Sequence, residues 1–217
     1  MDAAYLHALG EEELQLMEEA IRLNKTGRSP KHLGVGTVLP VGSERRHPDY
    51  CEAWQPVFAA HAAIHTAYAE EAHCDDEALK RALFLQWYVL VEPPDFTGLG
   101  WVEETSTDLV WMALERRLRS QRLDRELEVM LHYMFGGWTS EFKYLLESLN
   151  RTPLLRLLES KVTDPDLPVW NELDAASMEE RGQMGDYFAS VLEPRPGEAK
   201  GGFPEEDPGG EPGGAGA

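Results

Sequence analysis

At 217 residues the chain can hold one domain with a sizeable core, and 6 tryptophans, 7 tyrosines and 7 phenylalanines supply large side chains for it. The 39 acidic against 20 basic residues give a formal net charge of −19, which disfavours unassisted contact with nucleic acid or an anionic membrane. The same charge suits plain solubility or a basic protein partner. Met1-Asp-Ala-Ala-Tyr-Leu-His7 lacks the basic and apolar regions of a secretory signal, and the longest apolar run, Ala82 to Val91, is too short to span a bilayer. These features predict a cytoplasmic protein without a membrane segment.

The first helix is expected from Glu11 to Lys25, with Leu14, Met17 and Ile21 facing inward, Leu16, Ala20 and Leu23 alongside, and Asp2 able to open an earlier turn that carries Leu6 and Leu9. Lys31 to Pro48 is rich in glycine and proline and has no helical period. It reads as a long ordered loop, with room for an extended segment between Val35 and Val41 that Pro40 weakens. The Gly34-x-Gly36 pair there lacks the third glycine and the strand and helix of a phosphate-binding loop.

The next helix carries the most informative feature of the chain. At about 100° per residue, Trp54, Val57, Phe58, His61, Ile64, His65 and Tyr68 share one face, so both imidazoles are predicted to be buried. A buried imidazole left unpaired costs roughly 1–3 kcal/mol, so each needs a carboxylate, carbonyl, water or metal. The His61-x-x-x-His65 spacing puts the rings on adjacent turns, as a metal requires. It lacks both the glutamate of zinc proteases and the Glu-x-x-His repeats of di-iron bundles, and a carboxylate or His132 from another helix would have to complete a site. The simpler expectation is two hydrogen-bonded histidines in a helix interface, with no metal or other cofactor. Cys51 and Cys74 flank this helix and would lie roughly 35 Å apart if it were continuous, which predicts free thiols rather than an intrachain bridge.

Asp75 or Asp76 caps a third helix, apolar over most of its circumference, with Trp87 at its centre and Pro93-Pro94 at its end. Glu92 closes it as a carboxylate opposing the helix dipole, which demands a compensating partner: loop amides, an arginine or a histidine. The connector from Glu92 to Trp101 carries Phe96, Leu99 and Trp101. These three side chains are either pinned to the body or form a partner-binding loop. From Ser106 or Thr107 the pattern is helical to Gly136-Gly137, in one helix or in two meeting near Ser120. Arg116, Arg117, Arg119, Arg122 and Arg125 spread around this helix among acids, which reads as a solvated face and not a nucleic-acid stripe.

Further helices are expected around Phe142 to Leu149 and from Thr152 to Ser160. A last one is expected to open at a capping box, Ser177-Met-Glu-Glu180. Residues 193–217 are mostly glycine, proline and acids, the composition of a disordered tail.

The expected architecture is therefore all-α: a multi-helix domain over 1–192 and a disordered tail over 193–217. No nucleophile elbow, P-loop or Cys-x-x-Cys is present, so no residue is marked as catalytic. The expected function is a non-enzymatic protein-interaction module of adaptor, inhibitor or immunity type, with no nucleic-acid partner. The rival is a metal-dependent or histidine-using enzyme centred on His61 and His65.

Overall fold

The computed structural model describes residues 2–26, 37–39, 52–136, 143, 145–147, 149–162 and 175–192. Helix α1 runs Ala3–Lys25, longer than the expected Glu11 start, because Asp2 caps it: its Oδ1 accepts from the Ala4 N–H at 3.2 Å. Its inner face differs in part. Ala20 and Leu23, with Leu6 and Leu9 of the earlier turn, are buried as expected, but so are Gly10 and Glu13, whereas Leu14, Met17 and Ile21 are only half-buried. The helix turns a carboxylate inward because partners wait for it there, as described below.

Helix α2, Gln55–Glu71, has Pro56 in its first turn, where a missing N–H costs nothing. Helix α3, Asp76–Val91, is capped by Asp75, whose Oδ1 accepts from the Ala78 N–H at 3.0 Å. It is the central helix: every residue from Ala78 to Trp87 is buried, and α2 packs along it together with the later helical stretches Glu104–Arg119 and Gly182–Leu192. Trp87 lies fully buried in it, as its position in the apolar run predicts.

A one-turn helix, α4 (Pro94–Thr97), follows the two prolines and packs on α1. It ends at Gly98, whose φ of 73° is the left-handed conformation glycine adopts freely. A short strand, β2 (Trp101–Glu103), then pairs in parallel with β1 (Thr37–Leu39), in the register Thr37–Trp101, Val38–Val102 and Leu39–Glu103.

The helical stretch after the connector is two helices: α5 (Glu104–Arg119) and α6 (Arg125–Gly136), parted by a turn in which Gln121 has a φ of 53°. Helix α7 spans Thr152–Val162. The expected capping box fails: Ala175–Met178 forms a 3-10 turn, Glu180 takes a φ of 60°, and the last helix, α8, begins only at Gly182 (Gly182–Leu192). The interruption turns Arg181 into the protein, where two carboxylates hold it.

The fold is all-α, with one small strand pair. Among the described residues no helix is long and apolar enough to cross a membrane. Cys74 is exposed and free, while Cys51, the bridge from Asp164 to Trp170 and the tail from residue 193 lie outside the described residues.

Candidate functional site

Two polar arrangements stand out, one sealed in the core and one at the surface. The sealed one starts from the histidines, both 0% exposed. His65 Nδ1 lies 3.0 Å from Ser106 Oγ, and that hydroxyl also lies 3.0 Å from the Glu103 carbonyl oxygen. Since the serine proton goes to the carbonyl, His65 donates from Nδ1 and keeps an unshared pair on Nε2, which has no partner among the described residues. Burial pushes this imidazole down to about 3.

His61 Nε2 lies 2.8 Å from the side-chain nitrogen of Gln183, on α8. That amide also faces the carbonyl oxygens of Thr97 at 3.0 Å and Glu13 at 3.3 Å. An amide nitrogen only donates, and its two hydrogens go to the nearer pair, so His61 Nε2 at 2.8 Å accepts and burial keeps the ring neutral. Burial lowers it to about 4, although nearby carbonyls of Gly98, Val57 and Glu13 favour its charged form. The close seat is made by Gly98: a Cβ there would fall 2.8 Å from His61 Cε1.

Glu13 joins this cluster from α1 and is 1% exposed. Its Oε1 accepts from the Tyr68 hydroxyl at 2.5 Å, and its Oε2 from the Gln183 backbone N–H at 3.1 Å. Burial raises its carboxyl to about 7 despite those two hydrogen bonds and the charge of Arg81. Arg81 donates to the Leu6 carbonyl at 2.8 Å and to Glu77 at 2.7 Å. Glu77 also pairs with Arg181, which reaches on to Glu126 at 2.6 Å. Burial alone would raise Glu77, but Arg181 and Arg81 together pull it below the ordinary carboxylate range. Lys80 adds contacts to Asp124 at 2.8 Å and Glu126 at 3.1 Å.

Together these contacts join α1, α2, α3 and α6 to Arg181 and the first turn of α8. Among the described residues no group of three or more His, Cys, Asp or Glu side chains is placed to hold a metal ion. His132 is exposed on α6 and is not brought to His61 and His65.

The surface arrangement is the connector. Leu99 and Thr97 are fully buried, and Leu99 therefore belongs to the core and not to any contact surface. Trp101 is half-buried and meets Phe58 edge-on, with ring centroids 5.5 Å apart. Phe96 alone of the three faces outward, at 56% exposed. The backbone beneath it is held: the Gly98 N–H donates to the Pro94 carbonyl at 2.8 Å, and Asn24 of α1 donates to Asp95 at 3.2 Å.

Beside this connector lies an aromatic cluster that periodicity only partly foretells. Phe84, Trp87 and Tyr88 of α3 meet Tyr133 of α6 and Tyr187 and Phe188 of α8, at centroid distances from 4.8 to 6.1 Å. The Tyr133 and Tyr187 hydroxyls lie 2.6 Å apart. The stripe of α3 is legible in sequence, but its aromatic partners from two later helices are not.

No family model, curated protein or solved structure matches this chain.

Proposed function

We propose that the protein is a non-enzymatic binding module that recognises a basic protein partner through the connector, with Phe96 as its anchor. The observation that carries this reading is an aromatic ring, 56% exposed, on a backbone locked by buried neighbours. A preorganised ring loses little conformational entropy on docking, and aromatic anchors commonly dominate interface energetics. The charge of −19 supports a basic partner and argues against nucleic acid. The reading keeps the protein in the cytoplasm. The enzyme alternative finds no support in histidines that are neutral, hydrogen-bonded and closed to solvent.

The test is affinity capture from the native host with wild-type protein and with Phe96→Ala, read by mass spectrometry. One or more basic proteins should be retained by the wild type and lost by the variant. The variant's stability should stay within about 0.5 kcal/mol, because the ring it removes is largely in water. Equal capture by both proteins, or a strongly destabilised variant, would refute the proposal.

A further inference from the structure

Helix α5 turns an apolar patch to solvent. Leu109 and Met112 are 40% and 57% exposed, while Val110, Trp111, Leu114 and Leu118 of the same helix lie in the core. Leu109, Met112, Arg116 and Arg119 follow one another at steps of three and four residues and are all exposed, so they form one stripe along the helix. Its later half borders a shallow groove of about 520 Å³ between Met112, Glu115, Arg116, Arg119 and Ser120. Arg119 meets Glu115 of its own helix at 2.6 Å, and Arg116 and Arg122 are exposed beside that pair. The stripe thus passes from apolar to cationic within about two helical turns, in a protein whose net charge is −19. It fits a segment of matching order: a large apolar side chain followed by carboxylates.

The chain carries such a segment. Phe203-Pro-Glu-Glu-Asp207 is one aromatic residue followed by three acids, and Phe203 is the only large apolar residue after Leu192. The 11 steps from Leu192 to Phe203 reach up to about 36–40 Å. Helices α5 and α8 both pack on α3, so their axes lie within about 20 Å of each other. Thr107 sits beside Gln86 and Arg117 beside Asp76, which puts Met112 level with the middle of α3. Helix α8 follows α3 from the Arg181–Glu77 pair to the contact of Tyr187 with Trp87, and so ends toward the other end of α3. The offset along α3 is then about 15–20 Å and the span to be crossed about 25–30 Å, within reach of the segment.

We propose that Phe203 docks against Leu109 and Met112 of its own chain, with Glu205, Glu206 and Asp207 facing Arg116, Arg119 and Arg122. The glycines and prolines before Phe203 serve as the tether. Tethering raises the effective concentration of the segment to about the millimolar range, so a contact that is weak between separate molecules is occupied within one. The docked segment covers the exposed patch of α5. It uses none of the residues of the Phe96 connector, and the two readings stand or fall separately.

The test uses the full chain in two measurements. In spectra of protein carrying 13C-labelled methionine methyls, Phe203→Ala should move the Met112 signal, because an aromatic ring shifts the resonance of a methyl it covers. The signals of the buried Met130 and Met184 should stay in place. The position of the Met112 signal should not change on dilution, since the contact is within one chain. A shift that fades on dilution would assign the docked segment to a second copy and overturn the proposal, as would a Met112 signal indifferent to Phe203. In the second measurement, Arg116→Gln with Arg119→Gln should speed cleavage at Glu205 and Glu206 by a glutamyl endoprotease about fivefold or more, because cleavage follows the undocked population. Arg22→Gln with Lys25→Gln, which removes the same charge from the exposed end of α1, should change that rate less than about twofold. All these side chains of α1 and α5 are exposed, so the variants are expected to fold. Equal acceleration by the two pairs would refute the docking of the acids on α5.

Discussion

Replacing His65 by glutamine should change the pH dependence of stability in a calculable way. The folded protein holds His65 down to about 3 against an ordinary 6.5, so between those values the unfolded chain binds a proton that the folded chain refuses. The stability this contributes is fully present above pH 6.5 and is lost as pH falls. At pH 5 the loss is about 1.5 units of 1.36 kcal/mol, or ~2 kcal/mol. His61, held to about 4, loses a similar ~2 kcal/mol over the same interval.

Glu13 works in the opposite direction. Its folded value of about 7 lies above an ordinary 4.5, so the folded state gains the proton first and stability increases as pH falls from 7 toward 4.5. Between pH 7.5 and 5 that gain is ~2 kcal/mol. The three effects leave the wild type ~2 kcal/mol less stable at pH 5 than at pH 7.5, and His65→Gln should make the profile nearly flat. Glutamine can still hydrogen-bond Ser106, so the variant is expected to fold. Urea unfolding followed by tryptophan fluorescence at pH 7.5, 6 and 5 measures this directly. Parallel profiles for wild type and variant would refute the account of His65 as a buried neutral ring.

Trp87→Ala should cost roughly 3–5 kcal/mol in urea unfolding, because the ring is fully buried among Phe84, Tyr133 and Tyr187. Gly182→Ala should destabilise by at least about 1–3 kcal/mol: its φ is 63°, and a Cβ would fall 2.7 Å from Glu13 Oε2 and 3.0 Å from the Gly10 Cα. Thermal melts of Gly182→Ala beside the exposed-site control Ser190→Ala would show whether that clash is real. Arg181→Ala should cost about 1.5–3 kcal/mol, since Glu77 and Glu126 lose their shared cation but keep Arg81 and Lys80, whereas Arg181→Lys should recover part of the loss. An alanine variant as stable as wild type would mean that those carboxylates are well solvated without it.

The sequence by itself determined the helices whose period is strong and whose ends carry clear chemistry. Asp75 before an apolar run specifies where α3 begins, and Pro93-Pro94 where it ends, because capping and the missing proline N–H act within a few residues. The burial of His61, His65 and Trp87 was legible for the same local reason: one wheel face carries nothing but apolar neighbours. Which face of α1 turns inward was decided only by tertiary structure. Leu14, Met17 and Ile21 make an acceptable apolar stripe, yet the stripe holding Glu13 is the buried one. A carboxylate can be buried there because Tyr68 and Gln183 donate to it, and the latter lies 170 residues further along the chain.

The same limit explains the capping box that does not form at Ser177. Local spacing favoured a helix start, but Arg181 gains Glu77 and Glu126 by breaking it, and those partners sit on α3 and α6. It also explains why the connector's three apolar side chains divide as they do. Composition ranks Phe96, Leu99 and Trp101 as equals. The surroundings of the connector in the folded molecule bury Leu99, half-cover Trp101 and leave Phe96 in solvent. Local propensity and periodicity are properties of neighbours in sequence, whereas the partners of a buried charge or an exposed ring are neighbours in space. Those exist only once the helices have packed.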